Sequence, residues 1–159
     1  MGKLEYLVIH CTATPEGREV SGAEIRHWHT DPVSKGGRGW KRVGYTDMIH
    51  IDGSVERLVE NNEDAWVDEW EVTNGVKGYN GVSRHIVYVG GTDKAGRPKD
   101  TRTAAQKAAM RRYVEDFHQR FPEVAIVGHR DLNPRKACPS FDVGAWLRSI
   151  GITDNVKTR

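Results

Sequence analysis

Leu4-Glu5-Tyr6-Leu7-Val8-Ile9-His10 is a short apolar run that ends on a histidine. Its length and its β-branched end predict a strand buried on both faces. Two later stretches read the same way, His85–Val89, closed by Gly90-Gly91, and Val124–Val127. Between them lie helical segments. Ser21 with Glu24 forms a capping box that opens a short helix through His29. Thr103 with Gln106 opens a longer one, with Met110, Tyr113, Val114, Phe117 and Phe121 at helical spacing before Pro122. Tyr45–Ile51 and Ser54–Val59 read as strands joined at Asp52-Gly53 by a two-residue hairpin turn. Ser140 is expected to cap a last helix through Ile150, and the chain from Ile152 to fray. Strands and helices interleave around one hairpin. The expected class is α/β, a single domain over residues 1–159 with a mixed central sheet flanked by helices.

The remaining segments read as loop. Glu60–Gly78 is acidic and without clear periodicity, and is expected to be a surface excursion bordering a groove. The chain carries 24 basic and 22 acidic residues. That near balance gives no case for a nucleic-acid partner. Apolar runs of four or five residues are far shorter than the ~20 needed to cross a bilayer, so no membrane insertion is expected. Met1–Glu5 lacks the apolar run of a signal peptide, which predicts synthesis in the cytoplasm.

The residues able to carry chemistry fall at strand ends. His10 closes the first strand and His129 the last, and Cys138 follows in the loop Gly128–Pro139. Two imidazoles and a thiolate suit Zn²⁺, and three protein ligands leave a fourth position for water. No HExxH or CxxC sharpens this set. Residue types alone leave another reading open, with strand-end histidines held by structural hydrogen bonds and Cys138 in the core. Cys11, one residue after His10, points to the opposite face by strand alternation and is read as core. Both cysteines are expected as reduced thiols.

Five blocks occur in one order: His10-Cys-Thr-Ala-Thr14, Val43-Gly-Tyr45, Lys77-Gly-Tyr-Asn80 with Ser83, Val89-Gly-Gly91 and Lys136-Ala-Cys-Pro-Ser-Phe-Asp142. Together they resemble the phage-type zinc N-acetylmuramoyl-L-alanine amidases, of which peptidoglycan recognition proteins are distant relatives. The likeness runs from about Leu4 to about Leu147. It implies Zn²⁺ on His10, His129 and Cys138, with Tyr45 and Lys136 beside the metal. Lys136 would stabilise charge on the amide oxygen, against the alternative of a solvated loop lysine. Tyr45 would hold water or carbonyl, against the alternative of an aromatic opening a strand. Asn80 would touch substrate or fix its loop. Asp131 is expected to orient His129 or pair with Arg130.

The resemblance implies peptidoglycan as the substrate, a monomer, and a phage or prophage endolysin released to the wall through a holin-like pore. Two other roles remain open at this point: a non-catalytic peptidoglycan-binding module, which the presence of Cys138 argues against, and an added role in binding and inhibiting an RNA polymerase. The chain departs from many relatives at Thr46-Asp47, where His or Asn and an aromatic are common, and at Arg84-His85, where Ile-Gly is common. The stretch from His129 to Cys138 is also one residue longer than in the nearest phage relatives.

Overall fold

Tyr6–Cys11 forms strand β1, and all six of its residues are buried. In the computed structural model, which describes residues 2–154, it is one of the three inner strands of a five-stranded sheet. The other strands are β2 (Asp47–Ile49), β3 (Val55–Arg57), β4 (Ser83–Tyr88) and β5 (Ala125–Gly128). Their order across the sheet is β3-β2-β4-β1-β5. The β2–β4, β4–β1 and β1–β5 pairs are parallel, and only β3, at the edge, runs antiparallel. Parallel strands buried on both faces carry apolar side chains in both directions, which is why β1 and β4 read as continuous runs.

Helix α1 spans Gly22–Thr30 and helix α2 Ala104–Arg120, each opened by the expected reciprocal capping box. The Gln106 amide also donates to the backbone carbonyl of Val89 at 2.9 Å, tying the start of α2 to the sheet. Ala109, Met110, Val114 and Phe117 of α2 pack with Leu7, Ile9 and Ile86 on one face of the sheet. A fully buried side chain of this size contributes roughly 1.5–3 kcal/mol. Tyr113 and Phe121 sit at the margin of that core, and the Tyr113 hydroxyl donates to Asp47 at 2.6 Å. The opposite face carries Tyr6, Val8, Val87 and Val127 under α1 and the 60–82 segment.

Several expectations change. Only Asp47–Ile49 of the Tyr45–Ile51 stretch joins the ladder. His50 N–H donates to Ser54 and Gly53 N–H to His50, so the connection is a three-residue loop with Gly53 at φ +86°. The Glu60–Gly78 segment is less superficial than expected. Val67, Thr73, Val76 and even Glu71 are buried, and Trp66–Val67 pairs with Gly2–Lys3. Glu71 is tolerated because it accepts from the Asn62 and Asp68 amides and faces Arg84 at 3.8 Å. His129 does not close β5 but begins a helical turn, α3 (His129–Leu132). Asp142, not Ser140, caps the last helix, α4 (Val143–Ser149), by accepting from Ala145 N–H. Ile152 is buried against the core instead of fraying, and 155–159 lie outside the described residues.

His50, just after β2, bridges two carboxylates, Glu19 before α1 at 2.9 Å and Glu56 of β3 at 2.8 Å. Burial opposes its charged form, but the two carboxylates prevail and raise its pKa above 6.5. A raised folded pKa stabilises fully below the unfolded value and is lost as pH rises through the folded value. His50→Gln should therefore lower Tm by about 1–3 °C at pH 5.5 and by less at pH 8.5. Thermal melts at the two pH values test this; an equal loss at both would remove the ion pairs as its cause.

Candidate metal centre and groove

His10 occupies the C-terminal end of β1, the edge of a parallel sheet where ligand sites are built. His129 follows β5, the adjacent strand, and α3 turns its imidazole over the same edge. Cys138 reaches this edge from a loop pinned at several points. Arg130 N–H donates to the Cys138 carbonyl at 2.8 Å, the Tyr88 hydroxyl to the Pro139 carbonyl at 2.7 Å, and the Ser140 hydroxyl to the Gly91 carbonyl at 2.8 Å. Donor atoms of His10, His129 and Cys138 lie within 4.8 Å of one another. Nδ1 of His10 is 3.7 Å from Sγ of Cys138. A tetrahedral zinc with ordinary bond lengths separates its nitrogen and sulfur ligands by about 3.6 Å. The three donors therefore fit zinc in chemistry, and the His10–Cys138 separation matches its geometry.

The electrostatics keep both imidazoles neutral, the form that binds metal. Burial, then the neighbouring histidines His85, His129 and His29, lowers the His10 pKa well below 6.5. Burial and then Lys136 lower His129 to about 4. The Cys11 thiol beside it and burial push the Cys138 thiol up, so a divalent cation is what would bring it to the thiolate. Cys138 Sγ also accepts from the backbone N–H of Cys11 at 3.2 Å. The Cys11 side chain itself packs in the core with Ile9 and Tyr88, on the face expected from alternation.

Tyr45 contacts His10 in a tilted and His29 in an edge-on arrangement, with ring centroids 5.1 and 5.2 Å away. Burial and then Cys138 raise its pKa, so its hydroxyl stays protonated. That hydroxyl makes no hydrogen bond among the described residues, and Tyr45 lines the same small cavity as His129, Lys136 and Cys138. His29 lies near the end of α1. It is buried, accepts from Gly44 N–H at 2.9 Å and helps line this cavity. Lys136 is exposed, and it borders both the cavity and an adjoining groove of about 740 Å³. Arg38, Trp40, Lys77 and Asn80 border that groove too, and among the described residues no acidic one does. The Asn80 oxygen accepts from Val76 N–H at 2.8 Å and lies 3.0 Å from Nε2 of His85. Asp131 does not orient His129; its carboxylate accepts from Gly128 N–H at 2.7 Å. A separate cavity of about 500 Å³ near Lys3, Phe121 and Pro122 holds none of the candidate residues.

His85 is the residue missed in the sequence. Its Nδ1 lies 2.8 Å from Nε2 of His10. The available signal was a histidine opening the apolar run His85–Val89 of a buried strand, a polar ring that requires a partner there.

Comparison with known proteins agrees with this geometry. Residues 1–141 match the family described as N-acetylmuramoyl-L-alanine amidase. The endolysin of Enterobacteria phage K11 is 36% identical over 141 residues, covering 89% of this chain and 83% of the phage protein. Among solved structures, the Ph2119 endolysin of a Thermus scotoductus bacteriophage superposes with a TM-score of 0.67 at 25% identity, covering 95% of this chain and 85% of that one. Bumblebee PGRP-SA superposes with a TM-score of 0.70 at 19% identity, covering 99% and 86%, a likeness of fold. The family match includes all three clustered donors and the groove beside them, and so the chain belongs to the N-acetylmuramoyl-L-alanine amidase family.

Proposed function

We propose that this peptidoglycan amidase depends on zinc held by His10, His129 and Cys138, and that it serves as the lysis enzyme of a phage or prophage. The observation that carries the metal reading is the convergence of two neutral imidazoles and one thiol at the sheet edge, opening onto the groove. Bound there, zinc would supply a Lewis acid that makes water acidic near neutral pH and polarises an amide carbonyl. The chain's own residues do the rest. The Lys136 ammonium stabilises the negative charge that builds on the amide oxygen. The Tyr45 hydroxyl, protonated and without a hydrogen bond among the described residues, donates to the carbonyl or orients the water. Asn80 holds the groove wall through its oxygen and meets substrate through its nitrogen. Arg38, Lys77 and Lys136 give the groove a cationic rim suited to the carboxylates of a wall peptide.

In this reading the scissile bond joins the lactyl group of N-acetylmuramic acid to L-alanine, and residues 1–159 act as one domain. The enzyme reaches the wall after release through a holin-like pore. Digestion of purified sacculi should free peptides that begin with L-alanine and leave the glycan strands uncut, as read by mass spectrometry. New reducing sugar ends, with no free L-alanine amines, would mean a glycosidase and overturn the assignment.

A further inference from the structure

The hydrogen bonds behind His10 run in one direction, and that direction can be worked out from a backbone amide. Val76 N–H can only donate, so the Asn80 atom facing it at 2.8 Å is the amide oxygen. The same oxygen lies 3.0 Å from Nε2 of His85, so that nitrogen carries a hydrogen and donates. His85 is fully buried, with no carboxylate among its hydrogen-bond partners to favour a charged ring. Its Nδ1 is then a lone pair, and it lies 2.8 Å from Nε2 of His10. Nε2 of His10 must therefore carry the hydrogen, which leaves the lone pair on Nδ1, the nitrogen facing Cys138 Sγ at 3.7 Å.

We propose that His85 is a positioning residue that fixes the tautomer and ring orientation of His10, so that Nδ1 presents its lone pair to the metal. The inference rests on the zinc reading above for the identity of the ion. A half-turn of the His10 ring would put a carbon where the metal donor belongs and another carbon against His85, so the one hydrogen bond selects both orientation and tautomer. Sheet register supplies the contact: Val8 pairs with His85 and His10 with Val87, which sets His10 and His85 diagonally on one face of neighbouring strands. The backbone makes room for the ring at Gly75, where a Cβ would lie 2.3 Å from Nδ1 of His85. Metal-bound histidines in general need an acceptor on the far nitrogen, and losing it lowers metal affinity about 10–100-fold. Here the acceptor is a second imidazole, itself anchored by Asn80.

Two measurements test this. In metal-free protein, two-bond ¹H–¹⁵N correlation should show His10 and His85 both as Nε2–H tautomers. A His10 ring protonated on Nδ1 would overturn the proposal without any metal being present. In competition titrations against a chromophoric chelator, His85→Ala should bind zinc about 10–100-fold more weakly. His85→Asn, whose amide oxygen falls near the place of Nδ1, should stay within about threefold of wild type. Circular dichroism of the metal-free variants controls for folding; if His85→Ala does not fold, the tautomer spectrum and His85→Asn decide. Unchanged affinity in His85→Ala, or a full loss in folded His85→Asn, would overturn the positioning role. Wild type that takes up no zinc would instead sink the zinc reading, and the tautomer spectrum would still judge His85.

Discussion

Cys138→Ser will bind zinc roughly a hundredfold or more weakly and lose nearly all amidase turnover, whereas Cys11→Ser will keep both. The size follows from a comparison: loss of an outer partner of a metal ligand costs about 10–100-fold, so loss of a ligand costs at least the upper end. A serine hydroxyl stays protonated near neutral pH and is a poor substitute for a thiolate. The contrast with Cys11 is built into the strand. What Cys11 gives the site is its backbone N–H, 3.2 Å from Cys138 Sγ, and serine keeps it. Its side chain packs into the core beside the Cys138 thiol, so its replacement alters the surroundings of that ligand but removes no donor. The same reading has a chemical counterpart: a strong chelator should abolish sacculus hydrolysis and added zinc should restore it. Metal analysis of the two variants, with turnover on sacculi, checks the pair. Full activity in rigorously metal-free protein, or loss of metal in Cys11→Ser but not in Cys138→Ser, would end the assignment.

The parts of the fold that were legible are those set by neighbours in sequence. The capping boxes at Ser21 and Thr103 act within one helical turn, and both form as read. The apolar runs Leu4–Ile9, His85–Val89 and Val124–Val127 need only burial on both faces, and each forms the body of a buried strand of the sheet. What was not legible depends on distant partners. Glu71 looked like surface because its burial is compensated by Arg84, on a strand thirteen positions later. The hairpin between β2 and β3 gained a residue because the His50–Ser54 hydrogen bond, not the Asp52-Gly53 pair alone, sets where the ladder stops. Asp142 displaced Ser140 as a cap because Ser140 is committed elsewhere, donating to the Gly91 carbonyl.

The site divides in the same way. His10, His129 and Cys138 could be singled out because donor chemistry at strand ends is a property of residue type and position, and the order of the five blocks sharpened it. His85 could not be assigned, because its contact with His10 exists only through the parallel register of strands 75 residues apart. Arg38 and Trp40 were passed over as ordinary loop for a similar reason: the groove they border is closed by Lys136 and His129 from the far end of the chain.

Lys136→Ala should lower kcat by roughly a hundredfold or more, the usual scale for losing one group that stabilises a developing oxyanion. Lys136 lies two positions before Cys138, and its N–H donates to the Asn133 carbonyl at 3.0 Å, so its backbone is held by the α3 turn. The side chain is exposed, borders the cavity containing His129 and Cys138, and makes no ion pair with any described residue. Its charge is already felt at the site, since it is the second cause, after burial, of the lowered His129 pKa. A cation so placed acts on charge that exists only in the transition state, so the loss should fall on kcat and not on binding. Zinc content and sacculus affinity should barely change. Lys136→Arg should recover part of the rate, because a planar guanidinium spreads its charge away from the point an ammonium occupies. A solvated loop lysine predicts near-normal turnover in both variants. If instead sacculus affinity falls while kcat holds, Lys136 grips the wall polymer and takes no part in the chemistry.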